Sequence, residues 1–170
     1  MYAPFTNKTQ SVGALKLTAY VEKEMRMKNT FLLAVDGSPG SAKAINFAAE
    51  RAKRGSAKVI VAYVIEWSPY SFNTPEENAE RHKRREEELE RANRSIVDPV
   101  AAQLTKAGLD VESVVRHGHP AQTLVELAQS HDVSQIFIGR RGVSALKSLL
   151  FGSVAANLVQ TSPVPVTVVP

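Results

Sequence analysis

The chain has 170 residues, 44% of them apolar, and carries 21 basic against 17 acidic side chains for a formal charge of +4, which fits one domain with a sizeable core. That mild excess, with no Lys/Arg block interleaved with aromatics, argues against nucleic acid as a partner, and no apolar run approaches the ~20 residues a membrane helix needs. The chain has no cysteine, which excludes disulfides, thiol catalysis and zinc sites built on Cys.

Residues 1–27 differ from the rest. They lack the basic start, apolar block and small-residue cleavage site of a signal peptide. A short helix with a ragged apolar face fits Leu15–Met25. The segment reads as an N-terminal extension without chemistry of its own, with Met25 and Met27 as alternative start sites, ahead of a domain over residues 28–170.

From there strand and helix patterns alternate. Phe31–Val35 is a short continuous apolar run ending at Asp36-Gly37, the pattern of a strand buried on both faces. Ser38-Pro39 starts a helix, with a capping hydroxyl and a proline at the first helical position. That helix is expected to stop at Arg54-Gly55. Lys58–Ile65 is the second strand. After a loop with Trp67, Tyr70 and Pro75, a long helical pattern runs to Ala107. Its highly charged middle, Arg81–Arg94, reads as a solvated face because glutamates cancel most of the basic charge. Pro99 is expected to kink or interrupt this helix. Leu109–Arg116 is the third strand, and His119-Pro120 opens a helix with Leu124, Val125, Leu127 and Ala128 inward. Ser134–Ile138, a helix over Ser153–Thr161 and a last strand over Val164–Val169 complete the chain. The alternation predicts an open α/β parallel sheet with right-handed crossovers and helices on both faces.

Ligands of such sheets bind outside the carboxyl ends of the strands, where the strand order reverses. The loop after the fourth strand, Gly139-Arg140-Arg141-Gly142 through Gly152-Ser153, holds the parts of a phosphate site. Gly139 and Gly142 let the backbone turn and approach a ligand. Gly152 and Ser153 place free N–H groups at a helix N-terminus, where anions are favoured. Arg140, Arg141 and Lys147 add positive charge. Neither a Walker pattern nor a G-x-G-x-x-G fingerprint occurs.

The spacing Gly139-x2-Gly142-x9-Gly152-Ser153 resembles the G-x2-G-x9-G-S/T nucleotide-binding motif of the universal stress protein family. Ala34-Val35-Asp36-Gly37-Ser38 is similar to that family's first strand and terminal aspartate, Gly118-His119-Pro120 to its G-x-P, and Pro163–Pro170 to its last strand. The resemblance covers roughly residues 29–170. It implies the adenine nucleotide alpha hydrolase-like arrangement, five strands in the order 3-2-1-4-5, with Asp36 and Gly139 flanking the switch point. It also implies a cytoplasmic protein that binds ATP, ADP or AMP, with Mg2+, and acts in stress response or signalling. Adenine would lie near Ala34, Val35 and the backbone of Val64. Asp36 would face the ribose or a phosphate-bound metal. Gly139, Arg140, Arg141, Gly142, Val143, Ser144 and Ala145, with Gly152, Ser153, Val154 and Ala155, would hold the phosphates. The family's dimerisation through its last strand implies a homodimer through Val164–Val169, which would otherwise be an exposed edge.

Plainer readings stand beside these. Asp36 can serve as a turn aspartate beside Gly37 while touching ligand. His117-x-His119 reads as a polar loop rather than a metal site, and Trp67 and Tyr70 as loop packing rather than an adenine cover. Hydrolysis needs an activated, in-line water, and Asp36 is the one acidic candidate seen in the expected loops. Binding with at most slow hydrolysis is therefore the expected activity; the alternative is a slow ATPase or nucleotidyl-transferring enzyme of related fold. Gly142→Val and Gly152→Val are each expected to abolish binding while the fold persists.

Overall fold

The computed structural model describes residues 29–66, 75–143 and 150–170. The 1–27 extension, Trp67, Tyr70, Ser144, Ala145 and Lys147 lie outside them. Five parallel strands form one sheet in the order β3-β2-β1-β4-β5: β1 (Thr30–Ala34), β2 (Lys58–Glu66), β3 (Val111–Gly118), β4 (Gln135–Gly139) and β5 (Val166–Val169).

The order and the two-sided burial follow from the apolar runs. In β1, Phe31 and Leu33 face one side and Leu32 and Ala34 the other, all buried. On the first side lie α1 (Pro39–Gly55), α2 (Pro75–Ala92) and α3 (Asp98–Lys106), over a core that includes Phe31, Val59, Val61 and Phe137. The Phe31 and Phe137 rings meet in a tilted pair, centroids 5.0 Å apart. On the second side, α4 (Pro120–Ser130) and α5 (Ser153–Thr161) cover Leu32, Ile60, Val114 and Ile136.

Two strand starts differ from the sequence reading, and two helix ends take forms that it did not specify. The helix expected from Pro75 to Ala107 is divided by a π turn over Asn93–Val97, where the Asp98 N–H reaches back to the Asn93 carbonyl. Pro99 has no N–H for the Ser95 carbonyl, and its ring would press on it; widening the preceding turn relieves both. The α1 helix stops at Gly55, as expected, and the left-handed capping position falls on the next residue, Ser56 (φ 48°). The Ala57 N–H then closes the helix onto the Ala52 carbonyl at 3.0 Å.

Leu109 was expected to open β3. It instead donates to the Leu104 carbonyl at 3.2 Å as part of the α3 cap, with Gly108 at φ 84° before it. The β3 strand therefore runs from Val111 to Gly118. The last strand starts at Val166, not Val164. Pro165 cannot donate to a ladder, and Val164 is held in a turn by its N–H to the Ser162 hydroxyl, 3.2 Å.

At the amino end of the sheet, Lys58 Nζ lies 2.7 Å from Glu112 Oε2. The Lys58 hydrogen bond holds the Glu112 carboxyl below its ordinary range, and the same bond raises the Lys58 ammonium. Among the described residues no helix is long and apolar enough to cross a membrane.

Candidate functional site

The strand order reverses between β1 and β4, which are neighbours with Ala34 opposite Ile138. The chain leaving β1 heads into α1, and the chain leaving β4 heads toward α5 on the opposite face, so a crevice opens between the two departures. A cavity of about 270 Å³ occupies it, close to the lower end of the ~300–1,000 Å³ common for small-molecule sites.

One wall is the turn after β1. Asp36 Oδ1 accepts the Ser38 N–H at 3.0 Å, closing an Asx turn. Ser38 caps α1 by accepting the Ser41 N–H at 3.1 Å, and its hydroxyl donates to the Arg141 carbonyl at 3.3 Å. Asp36 Oδ2 accepts the Val143 N–H at 3.0 Å. The aspartate thus spends one lone pair of each oxygen on main chain, and ties the loop after β4 to the end of β1.

Two glycines permit that contact. A Cβ on Gly139 would lie 2.5 Å from the carbonyl carbon of Gly40, where the first turn of α1 crosses the end of β4. A Cβ on Gly142 would collide with the Asp36 carboxylate. Gly152 is different: its φ is −69°, and an added Cβ would meet the Arg140 carbonyl oxygen and Arg141 Cα at 3.5 Å and the Gly142 nitrogen at 3.6 Å, all ordinary contacts. Nothing in the described protein requires glycine there.

The opposite wall is the start of α5. Its N-cap is Gly152, which has no side chain to cap the helix. The Gly152 N–H bonds to the Arg140 carbonyl at 2.8 Å, and the Ala156 N–H bonds back to Gly152 at 3.0 Å. The N–H groups of Ser153, Val154 and Ala155 have no carbonyl of their own helix to reach, and all three residues line the cavity. Helix N-termini of this kind favour anions.

The floor is apolar, built from Ala34, Ala62, Val64, Leu124 and Ile138. Here β2 overhangs β1: β1 stops at Ala34, opposite Ala62, whereas β2 continues to Glu66. The Val35 N–H donates to the Ala62 carbonyl at 2.9 Å. Peptide groups alternate sides along a strand, so Val64 and Glu66 turn theirs the same way as Ala62, past the end of β1.

The structure brings thirteen of the residues singled out from sequence to this cavity: Ala34, Val35, Asp36, Val64, Gly139, Arg140, Arg141, Gly142, Val143, Gly152, Ser153, Val154 and Ala155. Sequence reading missed Ser41, Ala62, Tyr63, Glu66, Pro120, Leu124, Ile138 and Phe151, which also line it. Glu66 had a signal, being a carboxylate at the carboxyl end of a strand. Pro120 and Leu124 had none before the topology swung α4 over the crevice. His117 turns to α2 instead, with Nε2 3.4 Å from the Arg85 carbonyl and 3.8 Å from Glu88.

A sequence profile described as the Universal stress protein family matches residues 27–170. The chain belongs to the universal stress protein family. Universal stress protein YxiE of Bacillus subtilis (strain 168) is 29% identical over 150 residues, spanning 84% of this chain and 99% of its own. Among solved structures, universal stress protein UspA from Lactobacillus plantarum superposes with a TM-score of 0.72 at 21% identity, over 84% of this chain and 98% of that one. The universal stress protein from Archaeoglobus fulgidus solved in complex with dAMP gives 0.55 at 22% identity, over 83% and 97%. These structural likenesses establish a shared fold.

Proposed function

We propose that this universal stress protein binds an adenine nucleotide in the crevice between β1 and β4, with ATP as its ligand and ADP or AMP as lower members of the series. The observation that carries the reading is the pairing of two unlike surfaces in one cavity. An uncapped helix N-terminus with three N–H groups suits phosphate, and an apolar floor beside the overhanging peptide groups of Val64 and Glu66 suits a flat base with polar edges. The A. fulgidus family member solved with dAMP supports the same ligand class. In this reading adenine lies against Ala34, Val35 and Val64. The segment Gly139–Val143, continuing into Ser144 and Ala145, and Gly152–Ala155 hold the phosphates. A Mg2+ ion on the phosphates would be held with Asp36 as the carboxylate beside them. Calorimetry with ATP, ADP and AMP, alongside mass spectrometry of whatever nucleotide the purified protein releases on denaturation, tests it. Saturable binding of at least one adenine nucleotide is expected; no heat and no released nucleotide would sink the proposal.

Slow hydrolysis is the second reading, favoured by Glu66. It brings a carboxylate to the cavity besides Asp36, whose oxygens already accept main-chain N–H groups. A single-turnover assay with labelled ATP separates the readings: product formed above the buffer rate supports an enzyme, and unaltered ATP supports a binder whose state is read by a partner.

We also propose a homodimer through β5. Among the described residues this strand pairs with β4 alone, which leaves its other edge without a partner strand. The Arg140 N–H bonds to the Val169 carbonyl and the Ile136 N–H to that of Pro165, so Val166 and Val168 turn their peptide groups to the open edge. Val168→Pro deletes one outward donor without touching the β4 ladder. Sedimentation velocity should show a dimer for the native protein and a shift to monomer for this variant; a native monomer at micromolar concentration would end the idea.

A further inference from the structure

The residue that closes α4 sits among hydrogen-bond acceptors. His131 is the C-cap of α4, and its main-chain N–H bonds to the Leu127 carbonyl at 3.2 Å. Its imidazole Nδ1 lies 2.9 Å from Ser130 Oγ and 3.1 Å from the Leu127 carbonyl oxygen. Its Nε2 lies 3.5 Å from Oε1 of Glu112, near the start of β3. The Ser130 hydroxyl donates to the Leu127 carbonyl at 3.2 Å, so it turns lone pairs to the ring.

These surroundings suit one form of the side chain. A neutral imidazole has one N–H, and an imidazolium has two. A neutral ring that donates to Glu112 sets the Nδ1 lone pair against the Leu127 carbonyl. A neutral ring that donates to Leu127 sets a bare Nε2 against a carboxylate. Only the imidazolium puts a proton on both sides. The last turn of α4 has no Lys or Arg, so a charged His131 also supplies the cation that the carbonyl end of the helix lacks.

Other charges surround the ring. Glu112 comes from β3. Lys58 comes from β2 and is spent on the other Glu112 oxygen at 2.7 Å. Asp110 precedes β3, and Asp132 follows His131 in the chain. The Lys58 hydrogen bond holds the Glu112 carboxyl below its ordinary range. Glu112 therefore keeps its charge through the interval, about pH 5 to 8, in which histidines change theirs.

We propose that His131 is an acid-tightened staple: protonated, it fastens the carbonyl end of α4 to β3, and the fastening slackens as the ring loses its proton. The same helix brings Pro120 and Leu124 to the crevice, so the staple holds the far end of a cavity wall. It needs no ligand and stands apart from the nucleotide reading. A fold that suits the imidazolium better than the imidazole binds that proton more tightly than the unfolded chain does. The stabilisation is therefore full at low pH and lost as pH rises.

Urea melts of the native protein and of His131→Gln, at about pH 5.5 and about pH 8, test the staple. His82, His117 and His119 are common to both proteins, so their titration cancels. The folding constant of the native protein relative to His131→Gln should be about fivefold larger at the lower pH, from an ion pair and a helix-end charge together. In a Glu112→Gln background the same comparison should give about twofold, the share left to the helix end. Nitrogen magnetic resonance of the ring supplies a second readout, which holds even where His131→Gln does not fold. His131 in the native protein should keep both ring protons to a higher pH than in the urea-unfolded chain. A relative folding constant that is equal at both pH values or larger at the higher one would overturn the proposal. So would a fivefold gain that survives Glu112→Gln, or a ring that gives up its proton no later in the folded protein than in the unfolded one.

Discussion

Replacing Gly152 with alanine is expected to leave the protein folded and to remove most of its nucleotide affinity. The new methyl group would meet the Arg140 carbonyl oxygen and Arg141 Cα at 3.5 Å, which is ordinary contact, and φ −69° suits any residue. Alanine is a poorer N-cap than glycine, so a stability loss under about 1 kcal/mol is expected. In the proposed phosphate arrangement, the methyl group would crowd the approach to the N–H groups of Ser153, Val154 and Ala155. Roughly a hundredfold loss in Kd, about 2.8 kcal/mol, should follow. Calorimetry with ATP checks the affinity and a thermal melt checks the fold. Native affinity in a folded Gly152→Ala protein would move the phosphates elsewhere. Gly142→Val belongs to another class, although the motif writes the two glycines alike. A Cβ at Gly142 collides with the Asp36 carboxylate, so that variant disturbs the loop before any ligand arrives, and its failure to bind would say less.

Asp36→Asn should loosen the same loop in the ligand-free protein. The native carboxylate accepts an N–H on each oxygen, from Ser38 and from Val143. An asparagine has one acceptor oxygen; whichever way it turns, its NH2 opposes one of those two donors. The lost bond is worth about 1 kcal/mol, with water able to reach the exposed Val143 side. Hydrogen exchange at the Val143 amide should quicken without ligand, and ATP affinity should fall by roughly tenfold, about 1.4 kcal/mol. If Asp36 served only a metal on the nucleotide, exchange at Val143 would be unchanged and only the Mg2+-dependent part of binding would be lost. That outcome would overturn the latch.

Much of the fold could be read because the strands advertise themselves. Phe31–Val35 and Lys58–Ile65 are short, continuous apolar runs, and the sheet buries them on both sides. The elements that misled are those whose ends depend on main-chain geometry. The α1 helix stops at Gly55 as the sequence suggests, but its left-handed cap falls one residue later, on Ser56. Pro99 was visible as an interruption, but its remedy, a π turn several residues earlier, has no side-chain signature. The candidate site divides in the same manner. The phosphate side proposed for it draws on one stretch of sequence, from Gly139 to Ser153, and the spacing of its glycines exposes it. The bond from Val143 to Asp36 spans 107 positions, and no local pattern carries it. The same is true of Leu124 and Pro120, which reach the cavity only because the crossover from β3 to β4 carries α4 over the switch point.

The overhang of β2 past β1 has an evolutionary consequence. What Val64 and Glu66 turn past the end of β1 is peptide, not side chain. Peptide groups are common to every residue, so drift at these two positions leaves the offered donors and acceptors in place, and proline alone takes a donor away. Selection on that edge therefore acts on the lengths of two neighbouring strands rather than on residue identity.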